Sequence, residues 1–519
     1  MKRNCFIIIL FFVSISFLHS DFIIPHDDPV YSFLESMNNL GYTEKTFFIY
    51  PQYYNEITNI LMELRTQDLP KQYQKLTEYH YERLSMNFPE RVNSDFYPLR
   101  KIPRSAINVF KSHSDKKRLL TYNKDDCSLF LSGMMGVNYD IKSNDEKYNR
   151  NYEYYGLEFG GNIKEDFGFF TQYRKGHYEG DLSFILENKQ MHWSGGEPRL
   201  VTTCSEVDYK NNFLNFSIGY GSFKIGKTIT SSIILNSDIT SFGYLKYYKK
   251  FGNFHYIGIN SQFLPDSLTS SSEYNTKSYA MQAISYNKDA FAIGFGQAVI
   301  YGDKTFDFAY STPLVVFKLI DFKNYGRDNQ VVFFYSSFRM FSGLVFFENF
   351  FMDDLKKKRL FTKEGFSGLA SQTGLIYNSS NFPLQFTTEV TLIGPGTYGH
   401  SPQYYPQNQY THDTQLLGYS YGANLLNVAS EIMYFNSKLN VSLQYENLQQ
   451  GSLGEDPFIW EAGNYDLEFL AGKISRTEKI TTEIKYYPYP EISLHLKYEY
   501  QKREENNINY LYSGLEVRY

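Results

Sequence analysis

The stretch EISLHLKYEY, Glu491–Tyr500, reads in steps of two. Ile492, Leu494, Leu496, Tyr498 and Tyr500 fall on one side, and Glu491, Ser493, His495, Lys497 and Glu499 on the other. Successive side chains of a β-strand point to opposite faces, so this is a strand with one apolar face and one charged face. The same zigzag recurs. Leu439, Val441, Leu443 and Tyr445 alternate with Asn440, Ser442, Gln444 and Glu446. Leu384, Phe386, Thr388, Val390 and Leu392 alternate with Gln385, Thr387, Glu389 and Thr391. At the end of the chain, Leu511, Leu515, Val517 and Tyr519 share a face, with Gly514, Glu516 and Arg518 opposite. From about Cys127 onward this period dominates.

A β-sandwich, a propeller and a transmembrane barrel all use alternating strands. A propeller requires a blade repeat of roughly 40–50 residues, and none is found. A sandwich buries its apolar face, whereas a membrane barrel turns that face to lipid and the polar face to the lumen. Three features favour the barrel. The strands run to ~9–11 residues, the length a tilted membrane strand needs. Aromatic pairs crowd strand ends (Tyr154–Tyr155, Tyr247–Tyr248, Tyr486–Tyr487), as interfacial girdles do. The last strand ends in an aromatic residue, Tyr519, the kind of signal a barrel-assembly machinery reads. Residues 128–519 leave room for roughly 16–20 such strands, and bacterial barrels favour even numbers. The expectation is an all-β, antiparallel transmembrane barrel of about 18 strands over residues 115–519, with a wide lumen that is either wet or plugged.

Composition agrees. Of 519 residues, 18% are aromatic (48 Tyr and 45 Phe against 2 Trp) and 42% hydrophobic. The mean hydropathy is nevertheless −0.43, because apolar residues are diluted by polar ones at short range. The near balance of 51 basic and 56 acidic residues excludes a nucleic-acid binder as the default and a disordered acidic protein. Three cysteines exclude a disulfide scaffold and a cysteine-based zinc array.

Ahead of the barrel the spacing changes. Lys2 and Arg3 precede an apolar run, Phe6–Leu18, shorter than the ~20 residues of a membrane helix. Residues 1–20 therefore read as a secretory signal cleaved near Ser20, which would remove Cys5. Residues 21–114 read as a helical domain and linker. Pro29 opens a helix with Val30, Phe33, Leu34 and Met37 on one face, stopped by Gly41. Pro51 opens a second with Ile57, Ile60, Leu61 and Leu64, and Pro70 a third with Tyr73, Leu76, His80 and Leu84. Leu99–Ser114 is basic and irregular, a linker. In a secreted protein Cys127 and Cys204 have the option of pairing, which spacing alone leaves open.

Catalytic motifs are absent: no His-Glu-x-x-His, no phosphate-cradling glycine loop and no Gly-x-Ser-x-Gly. His412 and Asp413 are adjacent, but no nucleophile is placed with them. No cofactor or metal is expected. The residues of interest lie between strands: Asp303 in Tyr301–Pro313, Arg327 and Asp328, Glu348, and the long segment Gly394–Asn424 with Tyr404, Tyr405, Gln407, Tyr410, His412, Asp413 and Asn424. Aromatic rings stack on pyranose faces, and planar amides, carboxylates and guanidinium groups bond sugar hydroxyls, so these are candidate polysaccharide contacts. The competing expectation is that they are loop and plug residues held by their own hydrogen bonds.

Several of these stretches together resemble the capsule assembly Wzi family. They are Phe291–Pro313, Asp328-Asn329, Glu348 through Asp353-Asp354, Tyr410–Asp413, Leu417-Gly418, Gly422–Asn424 and Phe213–Ser237, with Pro29–Gly41 and Pro51–Leu64 resembling its periplasmic helical part. Gly226-Lys227 stands where the family often has Trp-Gly, and Tyr419 where it often has His; these departures bear on the ligand more than on the fold. The resemblance implies an outer-membrane barrel of about 18 strands with a periplasmic helical bundle. It also implies a lectin-like role at the surface of a Gram-negative-type bacterium, with surface polysaccharide and outer-membrane lipid as partners. The rivals are a porin-like solute channel and a barrel enzyme acting on lipid or glycan.

Overall fold

The computed structural model describes the chain from Ile23 to Arg518, except for 86–118, the loop segments 181–190, 265–275, 354–367, 400–407 and 455–466, and interruptions of one to four residues elsewhere. The signal segment 1–20, the linker at 99–114 and Tyr519 lie outside the described residues.

Eighteen antiparallel strands close into a barrel. They are β1 Cys127–Ser143, β2 Lys147–Ile163, β3 Phe167–Gly180, β4 Glu197–Tyr209, β5 Asn215–Gly221 and β6 Phe242–Phe251. Then follow β7 Phe254–Phe263, β8 Lys277–Lys288, β9 Phe291–Gly302, β10 Asn329–Phe341, β11 Leu344–Met352 and β12 Leu369–Asn378. The last six are β13 Leu384–Ile393, β14 Leu425–Phe435, β15 Leu439–Gly451, β16 Ile474–Tyr489, β17 Ile492–Arg503 and β18 Asn507–Arg518. Each strand pairs with its neighbour in sequence, and β18 closes on β1 from Asn509↔Ser143 to Arg518↔Met134. Two short strands, Leu120–Lys124 and Met191–Ser194, add to β1 and β4 without interrupting the ring.

The alternation sorts the side chains as the sequence predicts. Leu494, Leu496, Tyr498, Leu443, Tyr445, Phe386 and Val390 all lie on the outside and are exposed, while Glu389, Glu446 and Thr391 point inward and are buried. No described helix is long and apolar enough to cross a membrane; this chain presents its apolar belt on strands. The two ends differ. At one end every connection has two to five residues, such as 252–253, 342–343 and 379–383. The other end carries the long connections, including 222–241, 303–328 and 394–424.

Three helices sit in the short-turn end: α1 Val30–Leu40, α2 Tyr54–Arg65 and α3 Lys71–Ser85. Gly41, at φ 93°, ends α1 in the left-handed conformation that glycine tolerates, and backbone bonds run from Gly41 N to Asn38 O and from Tyr42 N to Met37 O. The second helix begins at Tyr54 rather than at Pro51, because Gln52-Tyr53 first pair with Ile23-Ile24 as a short ladder. The apolar stripes of all three merge into one cluster that also takes in Phe130, Phe170 and Phe435 of the wall. The helices therefore complete the barrel core. They are docked on the turns: Tyr73 OH donates to Ser379 O and Phe382 O at 2.6 and 2.8 Å, Asn39 Nδ2 to Asn378 Oδ1 at 2.8 Å, and Ser342 Oγ to Leu40 O at 2.9 Å.

From the opposite end, 222–241 descends into the lumen until it meets the N-terminal segment. Lys224-Ile225 pair with Ile49-Tyr50, and Gly226 N donates to Phe48 O at 2.8 Å. The segment 394–424 folds in beside it. Together they bury Phe48, Phe223, Ile233, Ile234, Leu235, Tyr398, Tyr410 and Tyr419 against the inward residues of β6–β14, among them Ile259, Met281, Ile300, Phe333 and Phe351. Of the two expectations for the lumen, wet or plugged, the structure shows the plugged one over half of the inner face: two loops and a strand from the N-terminal segment bring apolar residues to it.

Candidate functional site

The remaining half of the lumen, lined by β15–β18 and β1–β3, stays polar and open to solvent. Its inward residues carry charge in alternating sign. Lys479 Nζ lies 2.6 Å from Glu446 Oε1 and donates to Tyr421 OH at 2.8 Å. Glu483 is 2.6 Å from His495 Nε2 and 3.1 Å from Lys485 Nζ. Arg518 Nε donates to Glu516 Oε1 at 2.6 Å, and Tyr154 OH donates to the other oxygen of the same carboxylate. Arg150 pairs with Asp140. Rings lie between the ions: Tyr152 stacks on Tyr154 with centroids 5.3 Å apart, and Tyr512 leans on His495 at 4.6 Å.

Glycine keeps this sector open. Tyr154 lies flat over Gly136 and Tyr152 over Gly176, where any added Cβ would sit inside the ring. The tyrosines therefore lie against the wall, buried at 5 and 9% exposure, instead of projecting across the lumen. A cavity of about 420 Å³ results, bounded by Tyr152, Tyr154, Arg174, Tyr487, His495, Tyr512 and Glu516, and closed at the short-turn end by Asp28, Tyr79 and Arg83. Arg83 holds Asp28 in a two-point ion pair, with Nη1 2.9 Å from Oδ2. Burial alone would raise the Asp28 carboxyl, but the Arg83 charge and hydrogen bonds outweigh it and hold it below its ordinary range. Behind them His80 stacks on Phe33 at 5.0 Å; burial, helped by the Arg83 charge, pushes its pKa down to about 3, so it is neutral.

A second cavity, about 680 Å³, opens at the short-turn end between residues 41–56 and β6–β8, with Lys45, Glu56, Lys249, Lys250 and His255 on its rim. Among the described residues no group of three or more His, Cys, Asp and Glu side chains is placed to hold a metal. The charged groups of the open sector are mutually paired, and their planar acceptors and donors interleaved with rings suit hydroxyl-rich ligands.

The candidate residues named from sequence fare differently. Tyr410 is fully buried and donates through its hydroxyl to Ile234 O at 2.8 Å, so its ring is a plug residue and not a sugar platform. His412 is buried, and its Nδ1 accepts from Leu264 N at 3.1 Å. Asn424 is buried, with Nδ2 bonded to Leu453 O and Ala471 O at 2.8 and 3.0 Å. Glu348 sits mid-strand on the outer wall, opposite Ser336 and Thr373, and its carboxylate accepts from the Ser371 and Thr373 hydroxyls. Asp328 accepts from Tyr310 OH at 2.5 Å beside α4, Phe317–Lys323, outside the barrel. These five residues are not brought together, and Tyr410, His412 and Asn424 fit the competing expectation of plug residues held by their own hydrogen bonds. Asp413 is half-exposed in a tight turn. Tyr404, Tyr405, Gln407, Asp303 and Arg327 lie outside the described residues. One ring of the 394–424 segment, Tyr421, does reach the open sector, through Lys479.

Cys127 and Cys204 form no disulfide. They lie on β1 and β4, three strand steps apart, roughly 14 Å at ~4.8 Å per step, beyond the ~7 Å that a bridge allows. The bore residues on β1–β3 and β16–β18 were not singled out from sequence. Alternation placed them inward, but only the plugs decide which inward residues stay wet.

By sequence, no family model and no curated protein matches this chain. By structure, it is similar to Wzi of Escherichia coli, an outer membrane carbohydrate-binding β-barrel involved in group 1 capsule assembly. The TM-score is 0.62 at 11% identity, over 95% of this chain and 99% of that one. Pseudomonas aeruginosa OprD matches at a TM-score of 0.44 and 11% identity, over 75% of this chain and 95% of the other. Pseudomonas aeruginosa OpdO matches at 0.46 and 9%, over 75% and 97%. The fold is that of an outer-membrane β-barrel.

Proposed function

We propose that this chain is a non-enzymatic outer-membrane protein of the Wzi type that binds or organises capsular or exopolysaccharide at the cell surface. On this reading the long-loop end faces the exterior, the helices face the periplasm, and the C-terminal strand ending at Tyr519 is what the barrel-assembly machinery recognises. The observation that carries the reading is the lumen. Two loops and the N-terminal segment fill one half, which disfavours a wide solute channel. The other half lines a cavity with the half-buried Tyr487 and Tyr512 among paired ions, the chemistry of a saccharide site. The likeness over nearly the whole chain to a carbohydrate-binding barrel supports the same reading.

The test is binding of purified capsular polysaccharide by the detergent-solubilised protein, wild type against Tyr154→Ala/Tyr512→Ala and Tyr404→Ala/Tyr405→Ala. Weakened binding in either variant is expected. A deletion strain should release polysaccharide to the medium at unchanged total synthesis, and full retention on the cell would overturn the attachment role. A solute channel is the second reading, favoured by the wet, charged sector. Steady single-channel conductance in planar bilayers would select it.

A further inference from the structure

On the outer wall of β7–β10 the apolar belt is broken. By register Asn260, Gln282, Gln297 and Gln330 point away from the lumen, on the same side as the exposed Phe254, Phe295 and Phe338. Gln297 is the seventh residue of the twelve in β9, near mid-strand. Bare amides at that depth would lose their hydrogen bonds to water without replacement. They are not bare. The chain after β9 turns back down the outside of the barrel, and residues 306–323 lie across these amides as a strap.

The contacts match amide to backbone. Gln297 Nε2 donates to Val315 O at 2.6 Å, and Gln282 Nε2 donates to the same carbonyl. Gln282 Oε1 accepts from Leu314 N at 2.8 Å and Gln297 Oε1 from Phe317 N at 3.0 Å. Gln330 Nε2 donates to Phe317 O at 3.0 Å, and Ser311 Oγ to Asn260 Oδ1 at 3.0 Å. Beneath the strap, the outward residues Ala280, Val299 and Tyr301 are buried with its own Tyr310 and Phe317. Irregular backbone survives at membrane depth only when protein satisfies its polar groups, and here the wall supplies side chains that do so. The strap's outer surface is mainly apolar: Phe308, Leu314, Val316 and Leu319 are 82, 69, 51 and 61% exposed, and Lys318, the exposed cation among the described strap residues, is paired with Asp321 at 2.9 Å. That surface continues the belt formed by Phe295 and Phe338.

We propose that residues 306–323 are a lipid-inserted strap, whose Phe308, Leu314, Val316 and Leu319 contact acyl chains of the leaflet at the long-loop end. The partner is lipid, because the strap extends the wall's lipid-facing surface and the wall's amides satisfy its backbone there.

The test places a single Trp at Leu319 in protein whose two native Trp, Trp193 and Trp460, are changed to Phe. Fluorescence is read in vesicles of phosphatidylcholine brominated in mid-chain, with aqueous iodide as the opposing quencher. Val428→Trp, on the outer belt, and Lys502→Trp, near the β17–β18 hairpin, are the references. Leu319→Trp is expected to quench with bromolipid as strongly as Val428→Trp and to ignore iodide. Iodide quenching without bromolipid quenching overturns the proposal. So does protection from both quenchers together with a covalent dimer on cross-linking, which would mean a second copy covers the strap. If Val428→Trp also escapes bromolipid, the membrane reading of the barrel fails first. Leu314→Trp replaces Leu319→Trp if the latter does not fold.

Discussion

The two halves of the lumen are built from the same zigzag and end in opposite states. Along β6–β14 the inward residues Ile259, Met281, Phe333 and Phe351 are apolar and fully buried. Along β15–β18 and β1–β3 they are Glu483, Lys485, His495, Arg174 and Glu516, which keep contact with solvent. The difference arises from what enters the barrel. The segment 222–241 brings Phe223, Ile225, Ile233, Ile234 and Leu235, which pack against the apolar residues of that wall, while its Lys227 and Ser231 carbonyls are met by the inward Asn349 and Gln372. On the other side the apolar helices reach only the short-turn end, at Phe130 and Phe170, so the rest of that wall can carry charge provided each ion has a partner. Packing and hydration are thereby separated within one cylinder. One sector is filled by the chain itself, and the other keeps a polar cavity.

The comparison breaks most sharply in the filled half. Phe333 is fully buried there, with its ring 6.4 Å from that of Tyr335. Phe333→Ala should cost about 3–5 kcal/mol through lost contacts and the cavity left behind. Tyr512→Ala, in the wet half, should cost less, since water takes the vacated space. Chemical unfolding of the detergent-solubilised barrel measures both. Equal losses would mean that the two halves are packed alike.

The inside and the outside of one strand give the next contrast. Leu494 is exposed on the outer wall, and its neighbour His495 points into the open sector toward Glu483. Leu494→Arg should cost ~2–4 kcal/mol, as a cation placed in the lipid-facing belt. His495→Arg should cost much less, because it places a cation beside the Glu483 carboxylate in the open sector. Refolding equilibria into vesicles give both values, and a larger loss at 495 would reverse the assignment of faces.

Alternation made the barrel legible, since the faces of strands such as β13, β15 and β17 follow from the period of two, and the strand count from strand length; along β7–β11 the apolar side turns inward and amides and Glu348 lie outside. The three helices were legible from the stripes Val30–Met37, Ile57–Leu64 and Tyr73–Leu84. What the period could not convey is which connections go inward. Residues 222–241 contain eight consecutive hydroxyl or aliphatic positions, Thr228–Leu235, that read equally as loop or plug. Their destination depends on meeting Ile49 and Tyr398, partners about 180 and 160 residues away in the chain. The same gap hid the roles of Tyr410 and Asn424, whose residue types suit sugar binding but whose hydrogen bonds are spent on the fold. It hid Glu348 as well, because one acidic residue on an apolar face reads as loop until the register puts it mid-wall.

The helices that close the open sector respond to acid, which sharpens the comparison from below. His80 has its pKa lowered from 6.5 to about 3, so the folded state binds its proton later than the unfolded chain does. Stability from this group is present above pH 6.5 and is lost as pH falls toward 3. Asp28, lowered by Arg83, contributes in the same direction at more acidic pH. Between pH 6.5 and pH 5 the His80 contribution should fall by about 2 kcal/mol. Hydrogen exchange of amides in α1–α3 should therefore quicken at pH 5 once the intrinsic rate is divided out, while amides of β8–β10 stay protected. His80→Leu should abolish the difference; an unchanged slope in that variant would assign the effect elsewhere.

The smallest expected effect concerns the ion pairs of the open sector. Lys497 Nζ lies 3.4 Å from Glu499 Oε2 in the wet half, with the lysine 42% exposed. Lys246 Nζ lies 2.7 Å from Glu206 Oε2, and both are almost wholly buried where the N-terminal Tyr53 packs against β6. A solvated pair contributes about 0–1 kcal/mol and is screened by salt. Lys497→Met should therefore change stability by less than about 1 kcal/mol, and less still at high ionic strength. Lys246→Met leaves the Glu206 carboxylate buried with Tyr244 OH as its remaining donor, at 2.6 Å, and its cost should be several-fold larger and insensitive to salt. If salt acted on both variants alike, water would have to reach Lys246, and the boundary between the filled and open halves would lie on the far side of β6.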